Sequence, residues 1–252
     1  MRNPYLVGKG PHHVIVVHGW FGSASAWEPL ARVLDTERFT YAFMDCRGYG
    51  ERRSETGPFT MQAIADDVLA LADTLGWSEF HLIGHSMGGK AIQQVLHRAP
   101  QRVSSLIAVT PVPASGVPFD DSTWALFESA ANSPEARAGI INHSTGNRLS
   151  AHWVQQIAQH SLEHSSHEAF AGYLPSWVRG DISQGLQGLT QPTLVIVGEH
   201  DPGLTAEVMQ VTYLQLYPNA QLHTIANAGH YPMDETPVAL ATVIEAFIAG
   251  LD

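Results

Sequence analysis

Phe80-His81-Leu82-Ile83-Gly84-His85-Ser86-Met87-Gly88-Gly89-Lys90 reads as a strand, a sharp turn and a helix. The apolar run at 80–83 fits a strand buried inside a parallel sheet, and Met87, Ala91, Ile92, Val95 and Leu96 recur on one helical face. Between the two stands a G-x-S-x-G pentapeptide centred on Ser86. The residue at the apex of such a turn is held in a sparsely populated backbone conformation that costs about 1–3 kcal/mol. Gly84 and Gly88 leave room for it, so the helix can approach the strand closely and the Ser86 hydroxyl stands clear of the sheet. There it faces the N–H groups of a helix N-terminus, which favour developing negative charge. The pentapeptide alone is a weak signal. Its strand-to-helix context and the further glycine at Gly89 point to a nucleophile elbow, with an ordinary glycine-rich turn as the alternative.

On both sides of this stretch the chain alternates strand and helix. Val14-Ile15-Val16-Val17 is a β-branched run that ends at His18-Gly19-Trp20, and about a dozen residues before it leave room for one short edge strand. A helix is expected from Ser25, capped through its spacing to Glu28, with Trp27, Leu30, Val33 and Leu34 turned inward. Residues 41–44 form the next strand, followed by the loop Asp45-Cys46-Arg47-Gly48-Tyr49-Gly50. From Thr60, Met61, Ile64, Val68, Leu71 and Leu75 keep helical spacing, with Asp66, Asp67 and Asp73 on the wet face. Strands follow at 103–109, 193–197 and 221–225. A helix capped by Thr205 should bury Val208, Val211 and Leu214, and Thr236-Pro237 should open a last helix through Val243, Ile244, Phe247 and Ile248. This alternation predicts an α/β fold, a mostly parallel, doubly wound sheet flanked by helices.

The rhythm breaks once, where roughly 80 residues separate two strands that a single crossover would join in far fewer. Helix starts at Ser133-Pro134, Ser150 and Ser165, the last with Glu168 completing a capping box, show that this segment is structured. Residues 112–186 are therefore expected to form a helical cap over a core made of 1–111 and 187–252.

Composition narrows the function. The formal charge of −11, from 13 basic and 24 acidic residues, argues against nucleic acid and against anionic membrane surfaces. Cys46 is the only cysteine, so no disulfide framework points to an oxidising compartment. Met1-Arg2-Asn3-Pro4 lacks a signal-peptide core, and no run reaches the roughly 20 apolar residues of a membrane span, so a cytoplasmic protein is expected.

Two further groups of residues sit where strands should end: Gly198-Glu199-His200-Asp201 and Asn227-Ala228-Gly229-His230. Open parallel sheets gather ligands at the carboxyl ends of their strands, so both loops should share an edge with Ser86 and with His18-Gly19-Trp20. From His18-Gly19 through the elbow to Gly229-His230 the chain resembles the α/β-hydrolase fold superfamily, with nucleophile, acid and histidine in that family's order. A serine hydroxyl is a poor nucleophile until an oriented base takes its proton. His230 is the expected base and Asp201 its orienting acid, with Glu199 as a stand-in two residues earlier. The resemblance further implies an oxyanion hole made by the backbone N–H groups of Met87 and of Trp20, with Phe21 as the other choice in that loop. His18 is expected to secure that loop, and His85 and His200 to be packed or solvated neighbours.

Trp20, Phe21, Trp124, Phe127, Trp153, Tyr173 and Trp177 are the aromatic candidates for binding substrate, alongside their bland role as glue between cap and core. His160, His164 and His167 have helical spacing but no carboxylate completes a metal set, and Cys46 lacks an elbow or base, so neither a metal nor another cofactor is expected. The resemblance implies a serine hydrolase acting on a small, largely apolar carboxylic ester; the sequence leaves monomer and homodimer equally open. Thioesters, lactones and carbon–carbon bonds of vinylogous diketones fall to the same three residues. Serine at the elbow disfavours the dehalogenases and epoxide hydrolases of this superfamily, which use aspartate. Cofactor-free dioxygenases, lyases and ligand receptors on the same fold form the alternative class.

Overall fold

The computed structural model describes residues 4–251. Residues 1–3, on which most of the signal-peptide reading rests, and residue 252 lie outside the described residues. The chain opens with β1 (Tyr5–Gly8), β2 (His12–Val17), α1 (Glu28–Ala31), β3 (Phe39–Met44), α2 (Met61–Leu75), β4 (Phe80–His85), α3 (Met87–Arg98) and β5 (Val103–Val109). Four helices follow: α4 (Asp121–Ser129), α5 (Pro134–Ser144), α6 (Ala151–His164) and α7 (His167–Arg179). The chain ends with β6 (Thr193–Gly198), α8 (Ala206–Val211), α9 (Tyr213–Leu216), β7 (Ala220–Ile225), α10 (Pro232–Glu235) and α11 (Pro237–Ala249). Among the described residues, no helix is long and apolar enough to cross a membrane.

The strands form one sheet in the order β1-β3-β2-β4-β5-β6-β7. Among the described strands of this sheet, only β1 runs antiparallel; the other strand pairings are parallel. β4 and β6 are buried along their whole length, as strands covered on both faces must be, and their apolar residues explain it: burying one such side chain is worth about 1.5–3 kcal/mol. With β2, β4, β6 and β7 pointing the same way, the loops after their last residues meet at one edge. Those loops carry His18-Gly19-Trp20, Ser86, Asp201 and His230.

The elbow is built as its glycines require. Ser86 has φ 54° and ψ −115°. A Cβ on Gly84 would run into the Gly88 carbonyl, and one on Gly88 would lie 2.5 Å from Val17 O and 2.7 Å from His18 O. Helix α3 is thus pressed onto the end of β2 by backbone contact. Gly88→Ala is expected to push the two apart and cost about 1–3 kcal/mol, read as a lowered denaturant midpoint at unchanged m.

Several local expectations are corrected. No capping box forms at Ser25 and Glu28: the segment Ala24–Trp27 is a 3₁₀ turn preceded by Ser23, and the Ser25 hydroxyl pairs with Ser23 at 2.9 Å. The helix that follows is only one turn long, which leaves Val33 exposed. Asp67 is buried, not wet, because two arginines from the 45–53 loop reach it: Arg47 through Nε (2.9 Å) and Nη2 (2.8 Å), and Arg52 through Nη2 (2.9 Å). A carboxylate with those partners tolerates removal from water. The cap of α7 is Ser166, whose side chain accepts from Ala169 N, while Ser165 Oγ accepts from Arg137 and donates to Ser161 O. Finally, the chain breaks at Thr212 between α8 and α9, so Met209 and Tyr213 face inward and Val211 is 73% exposed.

Candidate active site

Ser86 sits directly after β4 and caps α3, with its N–H bonded to Val109 O at 3.0 Å. Asp201 follows β6, where its Oδ1 accepts from Gly203 N (2.9 Å) and Leu204 N (3.1 Å). Its Oδ2 lies 2.6 Å from His230 Nδ1. Burial by itself would raise the Asp201 pKa, but the imidazole of His230 and the two backbone donors outweigh it and hold the carboxyl below its ordinary value. Asp201 is therefore ionised near neutrality and fixes the proton of His230 on Nδ1. Ser86, Asp201 and His230 all line one cavity of about 190 Å³.

His230 is braced from behind. Its carbonyl accepts from His85 Nε2 (2.8 Å) and Thr110 Oγ1 (3.1 Å). Burial pushes the His85 pKa well down, so the ring is neutral, with its proton on the nitrogen that donates to that carbonyl.

The loop after β2 is braced in the same manner. Cys46 N–H donates to His18 Nε2 at 3.1 Å, so the other ring nitrogen carries the proton and donates to Gly19 O at 2.8 Å. Gly19 O and Trp20 N–H belong to one peptide group. Burial lowers the His18 pKa, which keeps the ring in the neutral form that this double contact needs. Tyr49 hydroxyl donates to Trp20 O at 2.9 Å and so fixes the peptide that carries Phe21 N–H. Both loop peptides, those carrying Trp20 N–H and Phe21 N–H, are thus held by hydrogen bonds. Met87 N–H is the first of α3, in the turn whose N–H groups lack intrahelical partners.

A family model described as the alpha/beta hydrolase fold matches residues 12–237. The chain belongs to that family. A pimeloyl-(acyl-carrier protein) methyl ester esterase of Serratia marcescens is 26% identical to this hydrolase over 261 residues, covering 97% of this chain and 96% of the relative. The enzyme of the same name from Klebsiella pneumoniae is 28% identical, with 92% of each covered. Among solved structures, a thermophilic esterase from Thermogutta terrifontis aligns with a TM-score of 0.84 at 25% identity, covering 98% of this chain and 92% of that one.

The aromatic residues of the hydrolase divide into two sets. Trp20, Phe21, Phe127 and Trp177 line the cavity with Ser86. Trp20 is locked there by its Nε1–H, which donates to Phe170 O at 2.8 Å, and by stacking on the Phe170 ring at 3.9 Å. The expectation for the other three is corrected. Trp124 lies outside the cavity under the guanidinium of Arg179, 3.5 Å from the ring centre. Trp153 sits one layer back, donating to Asp234 at 2.8 Å with its ring against Tyr231. Tyr173 is fully buried between Tyr49 and Phe59, in the seam between α7 and the core.

Sequence reasoning missed Val112, Val117, Phe119, Ile140, Leu204 and Tyr231, which also line the cavity. Phe119 alone carried a usable signal, as an aromatic beside the strand end in the long insertion. A larger cavity of about 480 Å³, bordered by Tyr5, Asp45 and Arg52, lies away from the elbow. Of its carboxylates, Asp45 is taken up by Ala24 N (2.7 Å) and Glu51 N (3.0 Å) and Glu28 by Arg32 (2.6 Å), and its serine, Ser25, bonds the Ser23 hydroxyl at 2.9 Å.

The remaining polar candidates are engaged elsewhere. Glu199 accepts from Asn227 N at 2.9 Å and is half exposed beside His200. His160 Nε2 bonds Ser23 Oγ (2.9 Å), His164 Nδ1 lies 2.9 Å from His160 O, and His167 Nε2 lies 2.9 Å from Asn132 Oδ1. Cys46 is fully buried, and burial pushes its thiol pKa up, the opposite of what a nucleophile requires.

Proposed function

We propose that this hydrolase cleaves small, largely apolar carboxylic esters through an acyl-enzyme on Ser86, with His230 as general base and Asp201 as its orienting acid. It is a carboxylic ester hydrolase by family and by its relatives. One observation carries the finer reading: His230 Nδ1 is paired to Asp201 at 2.6 Å on the wall of the same apolar cavity that Ser86 lines.

With its proton held on Nδ1, the imidazole keeps a lone pair on Nε2 for the Ser86 hydroxyl. As Oγ attacks the ester carbonyl carbon, its proton passes to Nε2 and the carbonyl oxygen gains the charge. Met87 N–H and Trp20 N–H receive that oxyanion, each such donor being worth about 3–4 kcal/mol in the transition state. The intermediate collapses as His230 returns the proton to the leaving alkoxide, and water, deprotonated by the same base, then cleaves the acyl-enzyme.

Residues 112–186 act in this reading as a cap that supplies Phe119, Phe127 and Trp177 to the acyl side. An apolar cavity of about 150 Å³ accepts benzene, so about 190 Å³ suits a short acyl chain or a single aromatic ring. No lysine or arginine is among its lining residues, which favours an uncharged acyl group.

A panel of aryl esters of rising acyl length, with a ring-cleavage diketone beside it, tests this reading. Turnover is expected to peak at about four to six acyl carbons, as the cavity fills, and to fall for longer chains. No turnover of any ester overturns it. A fluorophosphonate probe should label the protein at Ser86; labelling that survives in Ser86→Ala points to a different nucleophile.

A further inference from the structure

The loop that carries His230 is gripped on both sides of that residue by one carboxylate. Glu235 Oε2 accepts from Gly229 N at 2.8 Å and Oε1 accepts from Tyr231 N at 2.9 Å. The two N–H groups that flank His230 therefore converge on a side chain only 1% exposed. A carboxylate so far from water needs a counter-charge, because its desolvation costs several kcal/mol. Arg148 supplies it: its Nη2 pairs with Glu235 Oε2 and also donates to Asn227 O at 2.8 Å.

Arg148 lies between α5 and α6, in the segment inserted between β5 and β6. The same stretch makes two more contacts with the histidine loop. His230 N–H donates to Ser144 O at 3.2 Å, and Trp153 Nε1–H donates to Asp234 at 2.8 Å. Neither Glu235 nor Arg148 lines the cavity that holds Ser86.

We infer that Glu235 and Arg148 are positioning residues for His230, and that through them the inserted segment, when seated on the 227–235 loop, sets the orientation of the base. This rests on reading His230 as that base. Proton transfer demands geometry within about 0.5 Å and 10–20° of the productive arrangement. Freed from the clamp, the loop keeps the contacts of His230 O with His85 and Thr110 but loses the two that hold the N–H groups of Gly229 and Tyr231. Because Arg148 reaches across from the insertion, displacement of that segment removes the counter-charge of Glu235 and weakens its hold on the two N–H groups.

Arg148→Met and Glu235→Gln test this, with Asp201→Asn as reference. Three quantities are measured: kcat and KM on a short-chain aryl ester, the unfolding midpoint, and the far-downfield proton resonance of His230 Nδ1–H, identified by its loss in Asp201→Asn. Arg148→Met is expected to lower kcat by about 10–100-fold with KM changed less than about twofold, and to broaden or abolish the downfield resonance. Glu235→Gln should retain more activity than Glu235→Ala, since the carboxamide oxygen still accepts from one of the two N–H groups. Unchanged kcat in both Arg148→Met and Glu235→Gln, or an intact resonance in both, overturns the inference, as does a loss of kcat that only follows a fall in the unfolding midpoint. If the wild-type protein turns over no ester, the proposed function fails, and the resonance in the same variants still decides the role of the clamp.

Discussion

Ser86→Ala is expected to lower kcat on the best aryl ester by about 10⁴-fold or more, the usual cost of deleting one member of a nucleophile–base–acid unit. In the proposed mechanism the loss follows from position: Ser86 stands at the elbow and lines the same cavity as the paired His230 and Asp201. The unfolding midpoint should hardly move, because alanine keeps the Cβ and the hydroxyl makes no cap bond to α3. Strain at this position gives a second readout. At φ 54° any residue with a Cβ is disfavoured, so Ser86→Gly should be equally inactive yet more stable than Ser86→Ala by about 1 kcal/mol. Equal stability of the two variants would show that the elbow stores no strain. Activity within about tenfold of wild type in either would remove Ser86 from the mechanism.

Much of this site is legible in the sequence because backbone constraints leave marks that do not depend on the rest of the fold. Gly84 is required by close contact with the start of α3 and Gly88 by close contact with the end of β2, and the β-branched run at 14–17 is required by burial on both faces. The parallel order then brings Ser86, Asp201 and His230 to one edge without further information. What stayed hidden depends on partners far away in the chain. Asp67 looks like a surface residue on its helix until Arg47 and Arg52 come down onto it. Trp124, Trp153 and Tyr173 have the same aromatic character as Phe127 and Trp177. Which of the five reaches the cavity is decided by how α4, α6 and α7 rotate against the core, and helical spacing within each segment is silent on that. The choice between Asp201 and Glu199, two residues apart, was likewise open in the sequence. In the structure Asp201 meets His230, and Glu199 turns away to Asn227, which supports Asp201 as the acid in the proposed mechanism.

That pairing makes Asp201→Asn the second large effect, and the wild-type contacts dictate how it arises. Asp201 Oδ1 accepts from two backbone donors, Gly203 N and Leu204 N, while Oδ2 accepts from His230 Nδ1. Asparagine has one oxygen and one NH₂. If the NH₂ took the Oδ1 place, two N–H groups would face a donor in a site that is 5% exposed, an arrangement that leaves buried polar groups unpaired at about 1–3 kcal/mol each. The oxygen must therefore stay with Gly203 and Leu204, and the NH₂ must point at His230 Nδ1. That nitrogen then becomes the acceptor, the ring proton moves to Nε2, and Nε2 can no longer take a proton from Ser86. The expected cost is about 10⁴-fold in kcat, with KM and fold nearly unchanged. Glu199→Gln is expected to leave kcat within about twofold, since that side chain holds only Asn227 N on the half-exposed side of the loop. Steady-state kinetics of the two variants side by side give the answer. A loss under about tenfold in Asp201→Asn, with a large one in Glu199→Gln, would transfer the acid's role to Glu199 and with it the tautomer argument on which the mechanism depends.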